Sequence, residues 1–276
     1  MGQGPTDGKN EKSPVKSALN AFKFRSIGPA FMSGRIADIA IDPKNENVWY
    51  VAVGSGGVWK TENSGTTWTP LADNMPFYST GCITIDPHNN ASIWLGTGEN
   101  VGGRHVGIGH GVYHSKDGGK SWKDMGLKKS EHISKIIVHP DDPNTVWVAS
   151  QGPLWSPGGE RGLFKTTNGG KTWKNTLDIN EWTGVTDLVI DPNNPNILYA
   201  ASWQKHRNVA ALIGGGPGTS LYKSVDGGDN WSKIDKGLPK SNKGKIGLAI
   251  SPMQPNVLYA AVELEKRAGA VYRSAN

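Results

Sequence analysis

The sequence predicts an all-β fold, a β-propeller with four complete four-stranded blades and part of a fifth. Three observations predict it. Three short motifs recur five times in fixed order along the 276 residues. Their period of roughly 50 residues is the length of one four-stranded blade. The composition, 37 Gly, 17 Pro and 11 Trp against 5 Phe, suits short strands and tight turns, not helices.

Each blade begins with a short apolar strand, expected near 35–41, 81–85, 133–138, 184–190 and 246–250. An Asp-Pro-type turn follows: IDPKN, IDPHN, VHPDD, IDPNN and ISPMQ. Proline fixes φ there, and Asn or Asp side chains bond the turn backbone. The second strand is the VWYVA, SIWLG, TVWVA, ILYAA or VLYAA segment. The third is GGVWKT, HGVYHS, RGLFKT, TSLYKS or GAVYRS, with aromatic residues on alternating positions. A box then closes the hairpin: TENSGTTW at 61–68, SKDGGKSW at 115–122, TTNGGKTW at 166–173 and SVDGGDNW at 224–231. Asn63, Asp117, Asn168 and Asp226 hold the third position, where a side-chain oxygen bonds the turn amides while glycine takes positive φ. These four residues are expected to be structural. The box tryptophan opens the fourth strand and folds over the turn. The fifth box breaks off at Asn276. The chain therefore reads as a fragment, with further blades of the same full-length chain as partners. An exposed flank is expected around Leu248, Ile250, Leu258 and Tyr259.

The net charge of +6 arises mostly in the first 35 residues, where six basic residues face two acidic ones. The rest is nearly balanced, so no nucleic-acid partner is expected. Residues 1–21 read as a disordered basic tail and 22–276 as the propeller. No apolar run approaches the ~18 residues of a membrane helix, so no membrane insertion is expected. The N-terminus has no apolar core of a signal peptide. The single cysteine, Cys82, forms no internal disulfide.

The S-x-D-G-G-x-[ST]-W pattern resembles the Asp-box, or BNR repeat. With GRIADIAIDP, GGVWKTENSGTTW, WLGTGEN and LIGGGPGTSLYKSVDGG, the order of motifs resembles the sortilin (VPS10) N-terminal-like bacterial family, within the WD40/YVTN/BNR-like superfamily. The resemblance implies a propeller that binds a ligand, and an extracellular or periplasmic location. It also admits a carbohydrate-active enzyme. Xyloglucanase-type propellers carry a catalytic Asp in a T-D-[IV]-G-G string on the first blade. The matching string here is Val53-Gly54-Ser55-Gly56-Gly57, with Gly54 in the place of that Asp.

Insertions between second and third strands point to the functional face. They span 99–111, 151–162 and 202–220, and strand topology places all three at one end of the blades. Loops on a rigid scaffold usually carry function. Arg104, His105, Trp155, Arg161, Trp203, His206 and Arg207 are the candidate ligand-binding residues. Trp stacks on sugar rings and Arg forks carboxylates, so the expected partner is a glycan or an acidic peptide. Trp155 and Trp203 are expected as walls of one groove, with Arg104, Arg161 and Arg207 as its rim. Glu99 and Glu160 are the candidate acid/base pair if the chain is a glycoside hydrolase, whose second carboxylate then lies outside this sequence or in this pair. His110 and His114, with His105 or Glu99, are read as polar loop residues, so no metal and no cofactor is expected.

Overall fold

The computed structural model describes residues 35–274. The expected tail at 1–21 and the box residue Asn276 lie outside them. Each described blade is an antiparallel sheet in sequence order. The first holds β1 (Ile36–Ile41), β2 (Trp49–Val53), β3 (Gly57–Thr61) and β4 (Thr69–Pro70). The second holds β5 (Thr80–Asp86), β6 (Asn89–Thr97), β7 (Val112–Ser115) and β8 (Lys123–Asp124). The third holds β9 (Ile133–His139), β10 (Asp142–Ser150), β11 (Gly162–Thr166) and β12 (Lys174–Leu177). The fourth runs β13 (Thr183–Asp191), β14 (Asn194–Gln204), β17 (Leu221–Ser224) and β18 (Ser232–Ile234), with a small hairpin, β15 (His206–Arg207) and β16 (Leu212–Ile213), inserted between its second and third strands. The fifth has three strands, β19 (Lys243–Ile250), β20 (Leu258–Leu264) and β21 (Ala270–Ser274). The only helical turn among the described residues is the three-residue stretch Glu265–Arg267.

First strands pack on one another in chain order, β1 on β5, β5 on β9, β9 on β13 and β13 on β19. Polar side chains tie these neighbours. Ile83 N–H donates to Asp38 Oδ2 at 3.1 Å, and Leu248 N–H donates to Asp187 Oδ2 at 2.7 Å. Thr84 Oγ1 donates to the Ile136 carbonyl at 2.8 Å, and Ser134 Oγ to that of Val185 at 3.2 Å. Burial raises the Asp187 pKa, and its two backbone N–H donors work against that.

Strand alternation divides each second strand between two junctions. Ile93 and Leu95 face the first blade, packing with Tyr50, Ala52 and Val58. Trp94, next to them in sequence, faces the third blade, packing with Ile136, Val146 and Phe164. Cys82 lies in this second junction, buried and reduced, and burial pushes its thiol pKa well up. Trp147 and Ala149 do the same against Leu188, Leu198 and Ala200 of the fourth blade.

The boxes close as the sequence pattern implies. Ser121 N–H donates to Asp117 Oδ1 at 2.9 Å, Ser121 Oγ to Asp117 Oδ2 at 2.5 Å, and Ser115 Oγ to Asp117 Oδ1 at 2.8 Å. In the Asn boxes one bond reverses direction. Asn63 Nδ2 donates to Thr67 Oγ1 at 2.9 Å, and Asn168 Nδ2 to Thr172 Oγ1 at 2.8 Å. Asp226 repeats the acceptor pattern with Asn230 at 2.8 Å. Hydrogen bonds to the turn hold Asp117 down at a pKa of about 2.

The expected flank needs correction. Leu258 is buried, and Leu248 packs against the cluster of Ala201, Leu221 and Ile246 that joins the fourth and fifth blades. Tyr259, expected in the same flank, is exposed, and strand alternation turns Val271 outward as well.

Candidate functional site at the loop end

The three insertions meet. Gln151 Nε2 donates to the Asn100 carbonyl at 3.3 Å, and Arg104 Nη2 to the Val209 carbonyl at 2.6 Å. Arg207 N–H donates to the Leu154 carbonyl at 3.0 Å, so the 151–162 loop abuts the β15–β16 hairpin. From the fifth blade, Lys245 Nζ reaches the Asn100 carbonyl at 2.6 Å.

Arg161 and Trp203 are not the rim and wall that their residue types suggested. Arg161 is buried and points into its own loop. Its Nε donates to the Gly158 carbonyl at 2.8 Å, its Nη1 to that of Gln151 at 2.9 Å, and its Nη2 to those of Pro153 and Ser156. Burial lowers its pKa to about 10, against the opposing pull of Glu131 and Glu181. The guanidinium fork thus fixes the loop backbone, since four carbonyls have no other planar donor of this reach. Trp203 is buried, with Nε1 donating to the Gly214 carbonyl at 3.0 Å and Lys205 and Lys245 Nζ at 5.2 and 5.3 Å from its ring.

Lys205 escaped the sequence reading. It is fully buried, and its Nζ donates to Gln151 Oε1 at 2.6 Å. Burial drives its pKa well below the ordinary lysine value, and the Arg161 and Lys245 cations push the same way. Alternation along Trp203, Gln204, Lys205 and His206 was the available signal, because Trp203 and Lys205 share the inward side. His132 lies nearby, buried with Nδ1 unpartnered, and burial and the Lys205 cation lower its pKa to about 3.

Glu99, two residues past the end of β6, sits on a firm seat. It is 2 % exposed. Arg35 grips its Oε1 with two nitrogens, Nε at 2.9 Å and Nη2. Gly107 N–H donates to its Oε2 at 2.8 Å, and Ser55 Oγ to its Oε1 at 3.4 Å. A Cβ on Gly54 would stand 2.5 Å from Glu99 Oε1, so this carboxylate fills the space that a side chain at 54 would take. Arg35 Nη1 also lies 3.3 Å from His105 Nε2. Arg35 was not singled out from sequence because its partner comes from the next blade, 64 residues away.

Glu160 is held elsewhere. Lys129 N–H donates to its Oε2 at 2.7 Å, and no partner of Glu99 touches it. His206 packs on Trp182 with ring centroids 4.1 Å apart and the planes tilted by 41°, and Arg161 lies 6.0 Å from the same ring. Trp155 stays 47 % exposed. His110 and His114 do not converge: His114 stacks on Trp94 at 4.1 Å and bonds Ser92 Oγ at 2.8 Å. Burial lowers the His114 pKa to about 4. Among the described residues, no three His, Cys, Asp or Glu side chains are placed to hold one metal ion. None of their helices is long and apolar enough to cross a membrane.

Known proteins resemble this arrangement. Over 80 % of its length the chain is 23 % identical to a probable oligoxyloglucan-reducing end-specific xyloglucanase of Neosartorya fischeri, covering 26 % of it. It is 29 % identical over 60 % of its length to the chloroplastic photosystem II stability/assembly factor of Oryza sativa subsp. japonica, covering 41 % of it. The crystal structure of an ancestral GH74 enzyme matches 88 % of this chain and 30 % of its own, with a TM-score of 0.66 at 24 % identity. The GH74 enzyme of Niastella koreensis matches 87 % of this chain and 37 % of its own, with a TM-score of 0.64 at 19 % identity. These structural likenesses show the fold. The chain spans about a quarter of the length of the xyloglucanase it matches first. A family model, Sortilin-Vps10 (sortilin, neurotensin receptor 3), matches residues 110–267, more than half of the chain. On repeated Asp-box blades that stack in order, this match places the chain in the Sortilin-Vps10 family.

Proposed function

We propose that the loop end of these blades binds a glycan or an acidic peptide. The observation that carries this reading is Trp155, an exposed aromatic ring on a loop whose base is fixed by Arg161. A ring held on a rigid loop loses little freedom when a sugar stacks on it. Arg104 and His105 are exposed on the neighbouring loop and supply positive charge and donors. Arg207 borders the Trp155 loop through the Leu154 carbonyl, and His206 packs on Trp182, whose ring lies 6.0 Å from Arg161. An extracellular or periplasmic setting belongs to this proposal, although the rice relative is chloroplastic. So do further blades of a longer chain as intramolecular partners.

Calorimetric titration with xyloglucan oligosaccharides and with an Asp/Glu-rich peptide tests it. Trp155→Ala is expected to weaken binding of one of them by about 1–3 kcal/mol. Binding of neither ligand, or equal binding by the variant, overturns the reading.

A glycoside hydrolase is the second reading, favoured by the xyloglucanase relatives. Glu99 is its candidate acid or base. Its carboxylate is held by Arg35 and Gly107, which fits a positioned group, and the residue is buried. Release of reducing ends from xyloglucan that Glu99→Gln abolishes would favour this reading over simple binding.

A further inference from the structure

Two lysines are buried among the described residues, and they differ in what they bond. Lys205 Nζ has Gln151 Oε1 as its acceptor at 2.6 Å. Lys243, the first residue of β19, is 7 % exposed, yet its Nζ makes no hydrogen bond or ion pair with a described residue. The Nζ atom itself is not sealed off: the stem is enclosed and the tip meets open space. Enclosing a cation without a countercharge costs free energy, so this arrangement calls for an anion from outside the chain.

Lys243 lines a cleft of about 360 Å³ at the loop end, where the fourth blade meets the fifth. One wall is the return of the 202–220 insertion, and the other is the connection from β18 to β19. Backbone bonds fix both walls. Gly216 N–H donates to the Lys243 carbonyl at 3.2 Å, Thr219 N–H to that of Gly216 at 3.0 Å, and Leu238 N–H to that of Asp235 at 3.3 Å. Lys233 and Lys240 line the cleft as well, against a single carboxylate, Asp235. Lys233 Nζ pairs with Asp235 Oδ1 at 3.3 Å, which leaves Lys240 and Lys243 as the cations of the cleft without a described partner. Ser241 and Asn242 stand between these two lysines in sequence and line the same cleft, and neither side chain bonds a described residue. A second hollow that borders Lys243, of about 500 Å³, includes Glu263 and Glu265, so the excess of positive charge belongs to the first.

We propose that this cleft binds a phosphate group through Lys240 and Lys243. A phosphate monoester carries about −1.5 to −2 charges at pH 7, which matches two unpaired lysines. Lysine meets phosphate as a point charge, whereas carboxylate recognition favours the planar fork of arginine, and no arginine lines the cleft. Ser241 Oγ and Asn242 Nδ2 supply neutral donors for the remaining oxygens. Trp155 does not line the cleft, so this site stands independently of the glycan or peptide reading.

Calorimetric titration of the 276-residue chain with inorganic phosphate and with glucose 6-phosphate, at constant ionic strength in chloride, tests the proposal. At least one of them should bind with a Kd of about 1 mM or tighter. Tighter binding of glucose 6-phosphate identifies the phosphate as that of an ester, and equal or tighter binding of inorganic phosphate identifies the free ion. Lys243→Met should weaken binding tenfold or more. Without phosphate this variant should melt at or above the native temperature, because an enclosed cation without a countercharge is gone. Phosphate should then raise the melting temperature of the native chain and not that of the variant. Lys240 is exposed, so Lys240→Glu tests the same site without disturbing the interior, and it should also weaken binding tenfold or more. Lys174→Met removes one charge from an exposed position in the third blade and should leave binding unchanged. Binding of neither probe overturns the proposal, as does native affinity in Lys243→Met or Lys240→Glu. An equal loss in Lys174→Met overturns it too, because attraction is then to net charge. A lower melting temperature for Lys243→Met would show that its Nζ serves the fold, and the site would be rejected on that ground.

Discussion

At one end of the blades the chain turns through the same eight-residue box in four successive blades, held each time by one backbone N–H donating to the side-chain oxygen at the third box position. At the other end it crosses between strands by insertions of unequal length, held by Arg161 and Trp203, which have no counterparts in the other described blades. The turn end is local. Donors and acceptors lie within a few residues of each other, so a short pattern specifies them. The loop end is non-local, and its contacts join residues tens of positions apart. Repetition therefore builds the frame, and the irregular end builds the individual surface.

The largest test of this contrast removes a ring that links two blades. Trp147→Ala is expected to cost about 3–5 kcal/mol, because a fully buried Trp leaves a cavity and loses its bond to Gly227. Urea unfolding followed by the remaining tryptophans measures it. Next is Arg161→Ala, expected to cost about 2–3 kcal/mol, since it leaves buried carbonyls without their charged donor. Arg161→Lys should not restore the loss, because one ammonium does not replace a planar fork. If Arg161→Ala is silent, the loop end is not braced as described.

Acid should expose a smaller effect. The His114 pKa is depressed to about 4 from its ordinary 6.5, so the unfolded chain takes up a proton before the folded one. Its contribution is fully present above about pH 6.5 and is lost as pH falls toward 4. Buried neutral His132 extends the same loss toward pH 3. The counterparts of His114 on the third strands are Lys60, Lys165 and Lys223. His114→Lys should therefore flatten the melting-temperature profile between pH 6.5 and 4. An unchanged profile would show that His114 does not stay neutral against Trp94.

A single box is worth less. Asp117→Ala should lower stability by about 1 kcal/mol through the lost turn bonds and leave ligand binding at the loop end unchanged. The smallest expected effect is at Lys205. Its burial disfavours the charged form, so Lys205→Met should stay within about 1 kcal/mol of the native chain at pH 7. Any advantage of Met should shrink as pH rises toward the unfolded lysine pKa, where the native chain no longer has to shed a proton on folding. A loss of several kcal/mol would show instead that the Lys205–Gln151 bond holds the loop end together.

These two ends also explain what was legible beforehand. The first strand of each blade and every described box can be read from residues close in sequence, because Pro turns, Gly-Gly pairs and alternation act over a few positions. Within the expected flank Tyr259 is exposed while Leu248 and Leu258 turn inward, because the side of the strand, not hydrophobicity, decides exposure. Arg161 and Trp203 were read as ligand groups because residue type carries no information on direction. Only the packed loops decide that Arg161 turns inward while Trp155 stays outside. The pairing of Arg35 with Glu99 joins two blades and leaves no trace in either local sequence.

Cys82 adds one consequence. It is the lone thiol of the chain and is sealed between the second and third blades. A thiol reagent reaches it only when those sheets part, because the buried group is both shielded and held protonated. Labelling kinetics on the unmodified protein therefore clock the parting of one interior seam. No engineered probe is needed, and the rate separates opening in the middle of the array from fraying at its ends.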